Sequence, residues 1–170
     1  MRKPYTLFLS TTFIFAGILA TGCKSSGNEK NIPGMVDLKL TNYGLPISVQ
    51  VPDTTKTPVE VTTMTTGTVE IKSGKSFQID ITAGDADIQA KKTDLSQDDI
   101  KKVKRFITDE PTALVWEAQI SDLKPEFHFY LTSKIGKDSY TIEDAKNNEV
   151  FGESAIKQMV EVAKNIKGIK

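Results

Sequence analysis

Cysteine is almost missing from this chain: Cys23 is the only one among 170 residues. A single thiol closes no internal disulfide and builds no cysteine-based metal site, so a folded body must rest on its apolar core. Histidine is as scarce, with His128 alone. Net charge is absent too, since 22 basic residues face 22 acidic ones. Setting aside Arg2 and Lys3 at the front leaves 20 basic against 22 acidic, a balance that argues against a nucleic-acid binder. No apolar run reaches the ~20 residues that a membrane-spanning helix needs. No segment repeats at a fixed period. What is present, 38% hydrophobic and 26% charged residues, fits one folded globular domain rather than a disordered chain.

The front of the chain reads as a targeting segment. Arg2 and Lys3 give it a positive start, and Leu7 to Leu19 is its apolar run. It closes on Ala20, Thr21, Gly22 and Cys23. The Thr21-Gly22-Cys23 step resembles the bacterial lipobox, which usually has Leu where Ala20 stands, with Leu19 here one place early. The resemblance implies cleavage before Cys23 and lipidation of that cysteine, with a diacylglyceryl thioether and palmitate-type acyl chains. Two or three such chains hold a protein stably, at about 0.8 kcal/mol per buried methylene. An ordinary secretory leader with a chance cysteine is the alternative. Residues 24 to 34 are polar with Gly and Pro, and are expected to be a flexible tether. Lys24 follows the cysteine where inner-membrane retention signals often carry Asp, which points to an outer membrane. The expected organisation is a signal peptide at 1–22, lipidated cysteine and tether at 23–34, and one domain at 35–170.

Within that domain, alternation of apolar and polar residues predicts strands. Val36, Leu38 and Leu40 alternate, as do Ile47, Val49 and Val51. Val59 and Val61 open a Thr-rich stretch, Val69 and Ile71 follow, and Phe77, Ile79 and Ile81 make the clearest case. Residues 85 to 107 are predicted helical, with Ser96 as a cap, Asp98 and Asp99 near the start, and Ile100, Val103, Phe106 and Ile107 on one face. Leu114 to Ile120, Phe127 to Leu131 and the stretch through Tyr140 and Ile142 predict further strands, with a turn at Gly136 to Asp138. A closing helix is predicted from Glu153 to Lys167, with Ala155, Ile156, Met159, Val160, Ala163 and Ile166 on its apolar face. The fold class is therefore α+β: a mostly antiparallel sheet of about six to seven strands flanked by helices.

Residues 43 to 168 also resemble the PsbP-like family. The resemblance is carried by Tyr43-Gly44 leading to Ile47 and Val51-Pro52, by Glu110-Pro111 before a strand, by Phe127, Phe129 and Tyr130, by the Gly136-Lys137 turn, and by a last helix holding Met159. It implies an α/β/α sandwich and no particular activity.

Chemistry is sparse. Ser73-Gly74-Lys75-Ser76 echoes the end of a phosphate-binding loop, but Val69 stands where its first glycine belongs and a strand follows, so a hairpin turn is expected. His128 sits mid-strand with no nucleophile or acid placed beside it by sequence, and is expected to be a surface or partly covered residue. Asp80, Asp85 and Asp87 lack calcium-loop spacing and are read as a loop that starts a helix. Lys101, Lys102, Lys104, Arg105, Lys157, Lys164 and Lys167 could meet anionic head groups, or simply be solvated. Trp116, Phe127, Phe129 and Tyr130 could line a ligand pocket, but aromatics at strand spacing are expected in the core. No catalytic, cofactor or metal site is assigned. The expectation is a lipid-anchored cell-envelope protein, at the cell membrane or outer membrane and facing the periplasm or the surface. Its domain is a non-enzymatic binding or accessory module, with the membrane as partner and an envelope protein as a candidate second partner. The rival readings are an envelope hydrolase using His128 or the nearby acids, and a binder of a small apolar ligand.

Overall fold

The computed structural model describes residues 31–55, 57–144 and 150–169. The expected leader, Cys23 and residues 24–30 of the expected tether lie outside them. Five strands come first, each where alternation places it: β1 (Met35–Lys39), β2 (Ile47–Pro52), β3 (Val59–Thr63), β4 (Val69–Ser73) and β5 (Phe77–Ala83). Helix α1 (Ile88–Gln97) follows, then β6 (Lys102–Glu110), β7 (Ala113–Gln119), β8 (Glu126–Ile135) and β9 (Asp138–Asp144). Helix α2 (Glu153–Lys164) and a short β10 (Lys167–Gly168) close the chain.

Seven strands form one sheet in the order β3-β4-β5-β9-β8-β7-β6, and every neighbour is antiparallel. A second, three-stranded sheet orders as β1-β2-β10, which the sequence did not suggest. The β8–β9 hairpin turns on Gly136, whose φ of 65° suits a residue without a Cβ. Ser73 to Phe77 is the hairpin turn expected between β4 and β5.

Because side chains alternate across a strand, the main sheet feeds two cores. Ala113 and Val115 of β7, Phe129 and Leu131 of β8, and Ile79 and Ile81 of β5 face one side, where α2 and the small sheet cover them. Leu114, Trp116 and Ala118 face the other, under Ile88 and Leu95 of α1. The helices thus lie on opposite faces. Helix α2 buries Ile156, Met159, Val162 and Ala163. Each of its three larger apolar side chains contributes about 1.5–3 kcal/mol of transfer free energy. It stops at Lys164, short of the expected Lys167, because Lys167 and Gly168 pair with Ser48 and Ile47.

The helix predicted over 85 to 107 is the main correction. It begins with Asp87, whose Oδ1 accepts the Ala90 N–H at 2.8 Å, and ends at Gln97. Ser96 is in its last turn, donating to the Thr93 carbonyl, and Asp98 stands at its far end. Residues 102–110 are the edge strand β6. Its register against β7 slips between Val103 and Arg105 and again between Phe106 and Thr108. Each bulge adds a residue, so Val103 and Phe106 reach the same face three positions apart, against Ala118 and Trp116. A bulged strand therefore imitated a helical spacing.

One end of the main sheet collects the connections into β3, between β4 and β5, into β6, between β7 and β8, and into α2. The described chain also begins there. Met35 opposes Pro52, and Pro52 leads to β3. Ile32 N–H donates to Gln50 Oε1 at 3.2 Å and Gln50 Nε2 donates to Asn31 Oδ1 at 2.9 Å, so a buried glutamine pins the entering segment. This is called the entry end below.

Candidate functional site

A group of hydrogen-bonded and ion-paired side chains against the sheet surrounds His128. Alternation along β8 puts the imidazole on the α1 face, opposite Trp116 in the β7 register. The two rings stand 5.5 Å apart at 32°. Only 8% of His128 is exposed, so the expectation of a surface or partly covered residue is corrected to a buried one.

Its partner is Asp144, the last residue of β9. The β8–β9 ladder stops at the Tyr130–Glu143 pair. Asp144 then serves β8 with its side chain: Oδ1 accepts the Phe129 N–H at 2.8 Å, and Oδ2 lies 2.7 Å from His128 Nδ1. A carboxylate thus replaces a missing rung, and fixes the imidazole. On the other side His128 Nε2 lies 3.4 Å from Glu126 Oε2, which also meets the Lys101 ammonium at 2.6 Å. Burial pushes the Glu126 carboxyl up, but Lys101 and then His128 outweigh it and hold it below its usual range. Lys91 reaches over from α1, 3.6 Å from Glu143 and 4.9 Å from the centre of the Tyr130 ring.

These groups border a cleft of about 220 Å³ lined by Lys91, Leu95, Lys101, Trp116, His128, Phe129, Glu143 and Asp144. That is below the ~300–1,000 Å³ usual for a small-molecule site. Among the described residues that line it there is no serine, threonine or cysteine, so no side-chain hydroxyl or thiol borders the histidine–aspartate pair. The pair has the geometry of a positioned base and its orienting acid. Among the described residues no group of three or more His, Cys, Asp or Glu side chains could hold a metal ion.

The other candidates separate. Asp80 is buried mid-strand opposite Glu143, Asp85 is in an exposed loop, and Asp87 caps α1. The loop that starts a helix is therefore found, at Asp87. The aromatics do not share a pocket: Phe127 and Phe129 belong to the α2-side core, Trp116 and Tyr130 to the α1 side. Several basic residues are already paired, Lys101 with Glu126, Arg105 with Glu117, Lys157 with Glu153 and Lys164 with Glu110. A wider groove of about 590 Å³ runs between α1 and β6, over Leu95, Val103 and Phe106, and is rimmed by Lys102, Lys104, Asp98 and Asp99. Sequence reasoning missed Asp144, Glu126 and Lys91. Nothing in the linear chain brings Asp144, 16 residues on, to His128; only the strand pairing does.

No protein-family model, curated protein or solved structure matches this chain. The resemblance to the PsbP-like family gains no support from that comparison. Among the described residues no helix is long and apolar enough to cross a membrane.

Proposed function

We propose that the chain is the precursor of a bacterial lipoprotein, cut before Cys23 and moored to an envelope membrane by lipid on that cysteine, with its α+β domain acting as a non-enzymatic binding or accessory module. The observation that carries this reading is the sequence from Arg2 to Cys23: a positive start, a short apolar run and a lone cysteine after Thr21-Gly22. Mooring to the cell membrane or outer membrane follows from it, the outer membrane being favoured by Lys24.

The test is Cys23→Ser. Wild-type protein is expected to take up palmitate and to sediment with membranes; the variant is expected to do neither. A variant that still labels and still sediments sinks the proposal. For the module itself, crosslinking in intact envelopes followed by capture of the acylated protein should return a reproducible envelope partner.

A further inference from the structure

We infer that the entry end of the domain seats on the bilayer, with Ile100, Leu123 and Val150 as the apolar tips that touch it. The inference rests on the reading of Cys23 as acylated. Among the described residues, three large apolar side chains are more than half exposed: Ile100 at 75%, Leu123 at 60% and Val150 at 56%. All three stand at the entry end. Ile100 precedes the first residue of β6 by two, and Leu123 is in the connection from β7 to β8. Val150 precedes Phe151, whose carbonyl accepts the N–H of Phe127 near the start of β8.

Two of these tips are held outward by built turns. The Asp98 carboxylate accepts the N–H groups of Ile100 and Lys101 at 2.9 and 2.8 Å. Gln119 Nε2 donates to the Leu123 carbonyl at 2.7 Å, and Leu123 N–H donates to that of Ile120. Between them Ser121 takes a φ of 43°, rare for a residue with a side chain. Turns fixed this way keep aliphatic groups in water, which disfavours the isolated domain and favours one whose end is covered.

The chain itself says what covers it. From Cys23 to Asn31 is eight residue steps, which span no more than roughly 29 Å when fully extended. Acyl chains in a bilayer therefore hold Asn31, and with it the entry end, within that distance. A tether this short makes the contact intramolecular, so a weak apolar touch suffices. Charge is not the attraction. Lys101 is paired with Glu126, and the two connections carry Asp98, Asp99 and Asp122 against Lys101 and Lys124. The contact should form on uncharged lipid and ignore salt.

Mature acylated protein in phosphatidylcholine vesicles provides the test. Acylation consumes the only native thiol, so Ile100→Cys, Leu123→Cys and Met64→Cys each offer one site for a nitroxide label. All three positions are exposed, and Met64 lies between β3 and β4 at the opposite end. Labels at 100 and 123 are expected to meet a water-soluble nickel chelate at least about tenfold less often than the label at 64, and to meet oxygen more often. Equal nickel access at 100, 123 and 64, in protein whose intact mass includes the acyl chains, overturns the inference and leaves the end free for a protein partner. A mature mass without acyl chains overturns the anchor, and this seating with it.

Discussion

At the scale of single residues, Asp144 is the side chain on which the α1 face turns. It fills a rung of the β8 ladder and fixes His128 at once. His128→Leu keeps bulk but leaves Asp144 Oδ2 buried without its partner. The expected cost is about 2–3 kcal/mol, read as a lower urea midpoint, because an orphaned buried acceptor loses its solvation without return. A change under ~0.5 kcal/mol would mean that the pair is not a structural one. The sequence drew attention to His128, since a lone histidine is visible in a list of residues. It could not show Asp144 or Glu126 beside it, because one neighbour comes from a hairpin partner and the other is an ordinary surface residue type. Trp116, Phe129 and Met159 were legible as core from their strand or helix spacing, and all three are buried.

Among elements, strands were easier to find than helices. Ile47-Val49-Val51 and Phe77-Ile79-Ile81 alternate cleanly because one face of each is buried. Helix α2 was legible from Ile156, Met159 and Ala163. Strand β6 was not, since one bulge puts Val103 and Phe106 three apart and a second follows Phe106, which together hid the period of two. Those bulges also suit its place at the sheet edge. Lys102, Lys104 and Arg105 line the unpaired side of the fold with charge, and a kinked, cationic edge resists pairing with another chain. Strand β3, at the other edge, keeps an unbroken register against β4. Replacing Lys104 and Arg105 together by isoleucine should leave the core intact yet raise concentration-dependent light scattering. Double-variant protein that stays as monodisperse as wild type at the same concentration would count against a protective role for this edge.

For the molecule as a whole, the two cores share strands. Residues 113 to 118 of β7 send alternate side chains to each, so neither face can open while the other stays packed. Thermal unfolding of the mature domain is therefore expected as one calorimetric transition. Its midpoint should hold from neutral pH down to about pH 4.5 and fall below that, near the ordinary aspartate and glutamate values. The sign comes from three carboxyls held low in the folded state. Asp98 is lowered by the N–H groups of Lys101 and Ile100, and Glu126 by Lys101 and His128 against the opposing push of burial. Glu153 is lowered by Lys157. A carboxyl with a depressed folded value stabilises above its unfolded value and loses that contribution as pH falls through the folded one. Two separate transitions, or a midpoint that rises in acid, would contradict this. The pinning of Asn31 and Ile32 to Gln50 has a mechanical consequence for a chain held by its front. Tension would first load the hydrogen bonds of Asn31 and Ile32 to Gln50, then run lengthwise into β1. Its rungs with β2 would share the load in shear, and the domain could be dragged along its leash without being unzipped.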